Sequence, residues 1–340
     1  MTDAVHLPVA DAIDAEVGRA LLARMWLIRA FEEKASELYA KGRIKGLLHL
    51  GIGQEGSAVG AISQLAPGDR VFGGQRAHAH ALAKGADPVK LLAELAGRTT
   101  GYCGGKGGSM HIAARDVGFA TATGIVAGNL PLALGDARAA TLEGADRVAV
   151  VFHGDGAGQA GSFHESLNIA SLWRLPIVFV CENNGYAEFT PLSAHTKVER
   201  LAEYAGVYGI PASTVDGNDV FAVHAAMGDA VARARRGEGP TFVEALTYRL
   251  RGHYEGDPAK YRELSELADW KQKDPIARFE TGLAERGLID ETGAAELATA
   301  ARSRIEAAAE AALAGPDPGP DDLVRDVTAA GARTTGRDGR

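Results

Sequence analysis

VVFHGDGAGQAG (150–161) and IVFVCENNGY (177–186) are the two runs that decide the fold. Each is apolar and β-branched, and each breaks off into small polar residues. Residues 161–173 between them have helical spacing, with Phe163, Leu167, Ala170 and Leu172 on one stripe. Ser162 and Glu165 fit a capping box at the start. Pro176 ends the helix just before the next strand. A helix of about a dozen residues spans roughly 18 Å, close to the span of a five- or six-residue strand. The lengths suit a right-handed crossover between two parallel strands, with both carboxyl ends on one edge of the sheet. Asp155 follows the first strand and residues 182–186 follow the second. They are expected to meet in the crevice where open α/β sheets bind ligands.

Asp155 and Asn184 are hard oxygen donors of the kind that suit Mg²⁺ or Ca²⁺, and Mg²⁺ usually completes its shell with phosphates and water. The flanking glycines Gly154 and Gly156 let the backbone turn sharply and approach a ligand. The aspartate is thus expected to face a metal ion that bridges it to a diphosphate. A dinucleotide fingerprint fits less well, because Gln159 stands where its third glycine belongs. An aspartate in that turn would also repel pyrophosphate unless a cation intervened. A nucleotide P-loop fails as well: Lys106 in GGKGGS is not followed by Ser or Thr. A plain tight turn remains open for GDG alone, and Asn184 at the next strand tip weighs against it.

Moving outward, the alternation of strand-like and helical runs continues through VAVVF (148–152), IVFVC (177–181) and PTFVEALTY (240–248). That pattern predicts βαβ units and a parallel sheet with helices on both faces. Residues 14–41 carry Val17, Leu21, Leu22, Met25, Ile28 and Phe31 at helical spacing, an amphipathic N-terminal helix. Glycine-rich loops are expected over 42–56 and 97–130, and alanine-rich charged helices from about 262 onward. The division that follows is an N-terminal helical arm (1–45), an α/β domain (46–260), a helical C-terminal extension (261–330) and a loose tail (331–340).

The 340-residue chain carries a formal net charge of −8, so a nucleic-acid footprint is not expected. The two cysteines, Cys103 and Cys181, lie far apart without a CxxC, which argues against a disulfide framework or a zinc site. The acidic N-terminal stretch, broken by Pro8, does not read as a signal peptide. No apolar run approaches the roughly 20 residues of a membrane helix. The chain reads as a soluble cytoplasmic protein.

GDG (154–156), twenty-six intervening residues, then NN (183–184) resembles the thiamine-diphosphate motif. HLGIGQEG (49–56), QRAHAHALAKG (75–85), GGKGGSMH (104–111), TGIVAGNLPLALG (123–135) and YRLRGHYEGDP (248–258) extend the likeness in consistent order. Together, over roughly residues 20–310, they look like the alpha subunit of the 2-oxo acid dehydrogenase first-enzyme family. The resemblance implies a thiamine-diphosphate-binding fold in which Asp155, Asn184 and the Tyr186 carbonyl bind Mg²⁺. Gly154, Gly156, Ala157, Gln75, Arg76 and His253 would serve the diphosphate, and the backbone of Gly124 and Val126 the aminopyrimidine. His49, His111 and His253 would line the reaction site, with His111 and His253 managing protons.

The family resemblance also implies an α2β2 heterotetramer whose beta subunit supplies a glutamate that activates the cofactor. No good candidate for that glutamate stands in this chain. The cofactor would act as electron sink for carbon–carbon cleavage. The acyl unit would pass to a lipoyl-bearing acyltransferase partner.

Two departures stand out. Gln75 replaces the family's usual tyrosine, which changes one phosphate contact, though an amide still donates a hydrogen bond. Tyr254 and Gly256 stand where mitochondrial pyruvate enzymes carry regulatory serines, so no such phosphorylation switch is expected. The GHYEGDP (252–258) and NGYAEFTP (184–191) stretches look closer to acetoin dehydrogenase alpha subunits than to pyruvate or branched-chain ones.

Plainer readings accompany these. The loop around Lys106 reads as a flexible segment that orders over a cofactor, or as surface only. His78, His80, His153, His164 and His195 read as structural or surface groups, and Cys181 as core. Arg249 and Arg251 read equally as salt-bridge residues or as attraction for an acidic partner. A non-catalytic assembly subunit and a nicotinamide-dependent oxidoreductase are the competing function classes.

Overall fold

The computed structural model describes residues 12–327. The tail expected over 331–340, and most of the N-terminal stretch read as lacking a signal, lie outside the described residues. The chain opens with α1 (Ala15–Ala40), capped by Asp14, whose side chain accepts the Val17 N–H at 2.9 Å. Then come α2 (Glu55–Ile62), β1 (Arg70–Gly73), α3 (Ala77–Lys84), α4 (Pro88–Leu95), β2 (Phe119–Ala122) and α5 (Asn129–Glu143). The middle holds β3 (Ala149–Gly154), α6 (Gly161–Leu172) and β4 (Ile177–Asn183), then the small hairpin β5 (Tyr186–Ala187) and β6 (Thr190–Pro191). It continues through α7 (Leu192–His195), α8 (Ala202–Val207), β7 (Ala212–Asp216), α9 (Val220–Arg235) and β8 (Thr241–Leu246). Three α-helices follow, α10 (Leu264–Lys271), α11 (Pro275–Glu285) and α12 (Glu291–Leu313), and a 3-10 turn over Pro320–Leu323 comes last among the described residues.

Six strands form one sheet in the order β2-β1-β3-β4-β8-β7, and every neighbouring pair is parallel. Alternate residues of a strand point to opposite faces, and here both faces are covered. Val150, Phe152, Val178, Val180 and Val243 join a core with α1, α2, α9 and α12. Ala149, Val151, Ile177, Phe179, Cys181 and Phe242 face the other way, against Leu130, Leu134, Phe163 and Leu167 of α5 and α6. Two-sided burial is why the central strands read as unbroken apolar runs. Outside the sheet, α12 lies along α1 and α4, and Ala294, Ala298, Ala301, Ala308 and Ala312 form its buried stripe.

Several local expectations differ from the fold. The capping box at Ser162 and Glu165 does not form; Ala160 is the N-cap residue and no side chain caps the helix. A 3-10 turn over Asp155–Gln159 runs almost directly into α6, so the helix begins before Ser162 can cap it. Glu165 is exposed, and Leu172, placed on the buried stripe, is 74% exposed in the last turn. The span 97–130, read as loop, contains edge strand β2 and the start of α5. Four-residue strands such as RVFG (70–73) and FATA (119–122) are too short for a period to register.

Candidate active site

Gly154 pairs with Glu182 across the β3–β4 ladder, so the tips of these two strands end level. Asp155 and Asn184 follow within two residues of that pair. Residues after β1 (Gly74, Gln75, Arg76), after β2 (Thr123, Ile125, Val126) and after β8 (Arg249, His253) join Asn184 and the two neighbours of Asp155, Gly154 and Gly156, around one cleft of about 280 Å³, with Asp155 itself buried behind its wall. The cleft thus sits at the carboxyl edge of the parallel sheet, where the chain leaves β1 toward β2 on one side and β3 toward β4 on the other.

Asp155 is 1% exposed, and neither carboxylate oxygen has a hydrogen-bond partner. A buried carboxylate left unpaired is strongly disfavoured, so this position calls for a cation. His195, read as a structural or surface group, approaches it instead: its Nε2 lies 3.4 Å from Asp155 Oδ2 without hydrogen-bond geometry. Asn184 is buried, and its Oδ1 accepts the Tyr186 N–H at 3.3 Å, leaving a second lone pair free to ligate. Burial, and then its hydrogen bond to Glu266 at 2.7 Å, raise the pKa of the Tyr186 hydroxyl. Among the described residues no cluster of three or more His, Cys, Asp or Glu could hold a metal. A metal at Asp155 would therefore need amide, carbonyl and ligand oxygens to complete its shell, a donor set that fits Mg²⁺. Glycine is required at 156, since a Cβ there would stand 2.8 Å from the Ala187 Cβ.

Opposite the carboxylate stands positive charge. Arg76 donates to the carbonyls of Leu50 and His253, both at 2.8 Å. Arg249, 1% exposed, donates to the Glu188 carbonyl at 2.9 Å and to His253 Nδ1 at 3.0 Å. Neither guanidinium has a carboxylate partner among the described residues. Arg249 therefore does not fill the salt-bridge role open to it from the sequence; it is buried in the cleft wall. Burial, then the Arg249 charge, pushes Arg76 down to about 9. One buried and one half-buried cation in the cleft wall, with a buried carboxylate behind its GDG turn, are complementary to an anion carrying a divalent cation.

His253 is held between the two guanidiniums. Arg76 Nη2 lies 3.3 Å and Arg249 Nη1 3.0 Å from its Nδ1. A guanidinium can only donate, so Nδ1 is the acceptor and the ring proton sits on Nε2. Burial first, and then Arg76 and Arg249, push His253 down to about 4. The neutral ring thus offers the cleft a donor N–H. Its loop is fixed by Asp257, which accepts the His253 N–H at 2.6 Å and the Tyr261 hydroxyl at 2.8 Å. His49 packs edge-on against His253, ring centroids 4.9 Å apart, and burial with the Arg76 charge pushes it to about 3.

His111 is exposed and lies beside Gly124, which stands between the cleft residues Thr123 and Ile125. A Cβ built on Gly124 would lie 3.6 Å from its Nε2, so the ring covers Gly124. Its Nδ1 faces the Gly107 carbonyl at 3.3 Å. A carbonyl can only accept, so in the neutral ring Nε2 is left as the free acceptor, opposite in sense to His253. Gln75 Nε2 donates to the Gly124 carbonyl at 3.3 Å, and Val126, 54% exposed, lines the cleft beside Ala157.

Three cleft residues had no assigned role from the sequence. Glu182 accepts Ser57 Oγ at 2.6 Å and His80 Nε2 at 3.1 Å. Burial alone would raise its pKa, but His80 and these hydrogen bonds prevail and hold it below the usual carboxylate value. His80, read as structural, and Gln54, whose buried amide has no partner, also line the cleft. The glutamate of ENN was visible, but its partners come from α2 and α3, more than a hundred residues upstream.

The sheet and its cleft define an α/β protein with a cleft across the carboxyl ends of its parallel strands. The chain matches the family described as dehydrogenase E1 component over residues 23–321, and it belongs to that family. It is 41% identical over 326 residues to the alpha subunit of acetoin:2,6-dichlorophenolindophenol oxidoreductase from Cupriavidus necator, covering 96% of this chain and 97% of that one. The protein of the same description from Bacillus subtilis is 42% identical over 305 residues, 89% of this chain and 91% of the relative. The pyruvate dehydrogenase E1 component subunit alpha of Rhizobium meliloti is 40% identical over 304 residues, 89% of this chain and 87% of the relative. Among the described residues no helix is long and apolar enough to cross a membrane.

Proposed function

We propose that this chain is the alpha half of a thiamine-diphosphate-dependent dehydrogenase that cleaves acetoin and works with a beta subunit in an α2β2 assembly. The single observation that carries the reading is that Asp155, a buried carboxylate with no hydrogen bond, sits between the cleft residues Gly154 and Gly156, while Arg76 and Arg249, which have no carboxylate partner among the described residues, line the same cleft. A diphosphate bound through Mg²⁺ supplies both missing charges. Asp155, Asn184 and the Tyr186 carbonyl would hold the ion. Arg76, Arg249, the Nε2–H of His253 and the backbone of Gly156 and Ala157 would hold the phosphates, and Gln75 the Gly124 backbone beside the aminopyrimidine. When bound, thiamine diphosphate supplies a carbon nucleophile and an electron sink.

The remaining work belongs to this chain. His253 stays neutral and donates, so it stabilises negative charge and does not act as a base. His111, with Nε2 free beside Gly124, is placed to take and return a proton. His49, neutral by burial, packs behind His253 and keeps water from that side. A nicotinamide role is disfavoured, since no cation in the cleft's GDG turn would offset the Asp155 charge toward a pyrophosphate. An assembly-only subunit would have no need of two cleft arginines without a carboxylate partner.

Acetoin is preferred over pyruvate for the GHYEGDP and NGYAEFTP stretches, and relatives named for each substrate reach similar identity. The acyl unit would pass to a lipoyl group on an acyltransferase partner. The test is to combine the chain with its beta partner, thiamine diphosphate and Mg²⁺, and to assay acetoin, pyruvate and 3-methyl-2-oxobutanoate with a dye acceptor. Turnover of acetoin well above the two oxo acids is expected. Pyruvate turned over equally well or better would overturn the substrate assignment, and absence of cofactor binding would overturn the class.

A further inference from the structure

The glycine-rich segment that leads to His111 is folded around a carboxylate from another element. Glu94 is 0% exposed, near the carboxyl end of α4. Its Oε2 accepts the backbone N–H of Cys103 at 2.7 Å and of Gly105 at 2.9 Å. Its Oε1 accepts those of Gly107 at 2.7 Å and Gly108 at 3.2 Å. Among the described residues no salt bridge reaches it, so these four dipoles alone compensate its charge. A negative side chain at a helix carboxyl end opposes the helix dipole, so helix stability does not account for it. Successive N–H groups converging on one anion form a nest of the kind that usually holds phosphate. Here the anion is part of the chain.

The glycines fit this purpose. A Cβ at Gly101 would stand 2.5 Å from Glu94 Oε2, and one at Gly107 would stand 2.1 Å from the His111 carbonyl oxygen. Gly104, Gly105 and Gly108 take left-handed φ values of +66°, +77° and +59°. The Gly107 carbonyl is the group that faces His111 Nδ1, and Cys103 Sγ approaches the His111 carbonyl at 3.3 Å. Glu94 Oε1 therefore holds the peptide units on both sides of Gly107, and the carbonyl of the second, whose N–H is that of Gly108, faces the His111 ring.

We infer that Glu94 is a positioning residue that folds the 103–108 loop around its own carboxylate and so sets His111, with Nε2 free, beside Gly124. This rests on the proposed reading of the cleft as a thiamine-diphosphate site. Glu94 does not itself line the cleft, so it acts through the loop that leads to His111 beside Gly124.

The test uses the assembled alpha–beta complex with Glu94→Gln, Glu94→Asp and Gly107→Ala. In Glu94→Gln the amide NH2 faces two N–H donors, so one side of the nest is lost. The expected result is a 10- to 100-fold fall in kcat, cofactor affinity within threefold of the parent, and at least tenfold faster tryptic cleavage after Lys106. Glu94→Asp should recover part of the kcat, because the charge is kept and only the reach is shorter. Wild-type kcat and unchanged protection at Lys106 in Glu94→Gln would overturn the inference. A parallel loss of cofactor affinity and kcat would do the same, since that marks a general packing role. If Glu94→Gln fails to fold, Glu94→Asp decides: a reduced kcat with faster cleavage after Lys106 and cofactor retained supports the inference, and parent kcat with parent protection overturns it. Gly107→Ala, whose Cβ would meet the His111 carbonyl directly, is the reference for a displaced loop. Should the parent complex bind no thiamine diphosphate, the reading of the cleft fails instead, and the Lys106 cleavage rate still decides whether Glu94 folds the loop.

Discussion

Asp155 and Glu94 are both buried carboxylates near the same cleft, and their surroundings are opposite. Glu94 has four backbone N–H donors; Asp155 has none. Burial imposes the same desolvation penalty on each, so the difference lies in what compensates it. At Glu94 the chain supplies the compensation and the group is structural. At Asp155 the chain offers only His195, 3.4 Å away without hydrogen-bond geometry, and the proposed metal role draws on that shortfall. The unpaired Arg76 and Arg249 across the cleft belong with Asp155 in this respect.

The sharpest way to break this comparison is to remove each carboxylate in turn. Asp155→Ala should lower Mg²⁺-dependent cofactor affinity in the alpha–beta complex by more than the roughly 10- to 100-fold that loss of an outer-shell metal partner costs. Titration calorimetry with and without Mg²⁺ reads this. In the cofactor-free complex the same change should leave the melting temperature unchanged or higher, because an unpaired buried charge is relieved. Glu94→Ala should do the reverse. It leaves four N–H groups without their acceptor and should destabilise by about 2 kcal/mol or more, at roughly 1–3 kcal/mol per unsatisfied buried group with water recovering part. A lower melting temperature for Asp155→Ala than for Glu94→Ala would end the distinction.

Next in size is the positive side of the cleft. Arg249→Gln should weaken cofactor binding about tenfold, in keeping with loss of one charge-assisted hydrogen bond of roughly 1.5 kcal/mol. The same variant sharpens the account of His253. Its folded pKa is pushed down to about 4 and that of His49 to about 3, against roughly 6.5 in an unfolded chain. Between these values the unfolded state binds more protons than the folded one, so stability falls as pH drops from about 6.5 toward 4. Thermal unfolding of the cofactor-free complex across that range should show the decline. In Arg249→Gln one repelling charge is gone, His253 titrates higher, and the decline should be shallower. A steeper or identical decline would mean that the guanidinium does not set the His253 protonation state.

The same contrast explains how much of the molecule was legible in the sequence. The β3–α6–β4 crossover could be read because its strands are long, buried on both faces and bounded by glycine and proline. The placement of Asn184 and Arg76 around the cleft could be read because they closely follow strand tips, where position along the chain maps directly onto position at the sheet edge. Glu94 could not, because nothing local marks it: it is one acid in the helical run PVKLLAEL, and its partners lie 9 to 14 residues on in a loop whose glycines suggest mobility. Arg249 was visible as a charge in a charged loop, and only the fold shows that it is buried without a carboxylate. His195 reaches Asp155 through the β5–β6 hairpin, a connection with no periodicity to follow. The capping box at Ser162 misled because a capping motif is defined by spacing, whereas the preceding 3-10 turn had already set where the helix begins.

The smallest expected effect concerns Gln75, which borders the cleft between its two charged sides. Its Nε2 donates to the Gly124 carbonyl at 3.3 Å, a long bond between neutral groups. Such a bond contributes only about 0.5–1.5 kcal/mol net. Gln75→Tyr replaces that contact with a phenol hydroxyl, which donates one hydrogen bond and has a longer, rigid reach. If the phenol takes over a phosphate contact, cofactor affinity should rise by about twofold to fivefold while the Gly124 carbonyl is released. A gain of that size, with kcat for acetoin unchanged, would place Gln75 on the anion-binding side with Arg76 and Arg249. A loss of affinity would place it with Glu94, as a residue whose value lies in holding a backbone segment still. Equilibrium binding of thiamine diphosphate at fixed Mg²⁺ separates the two.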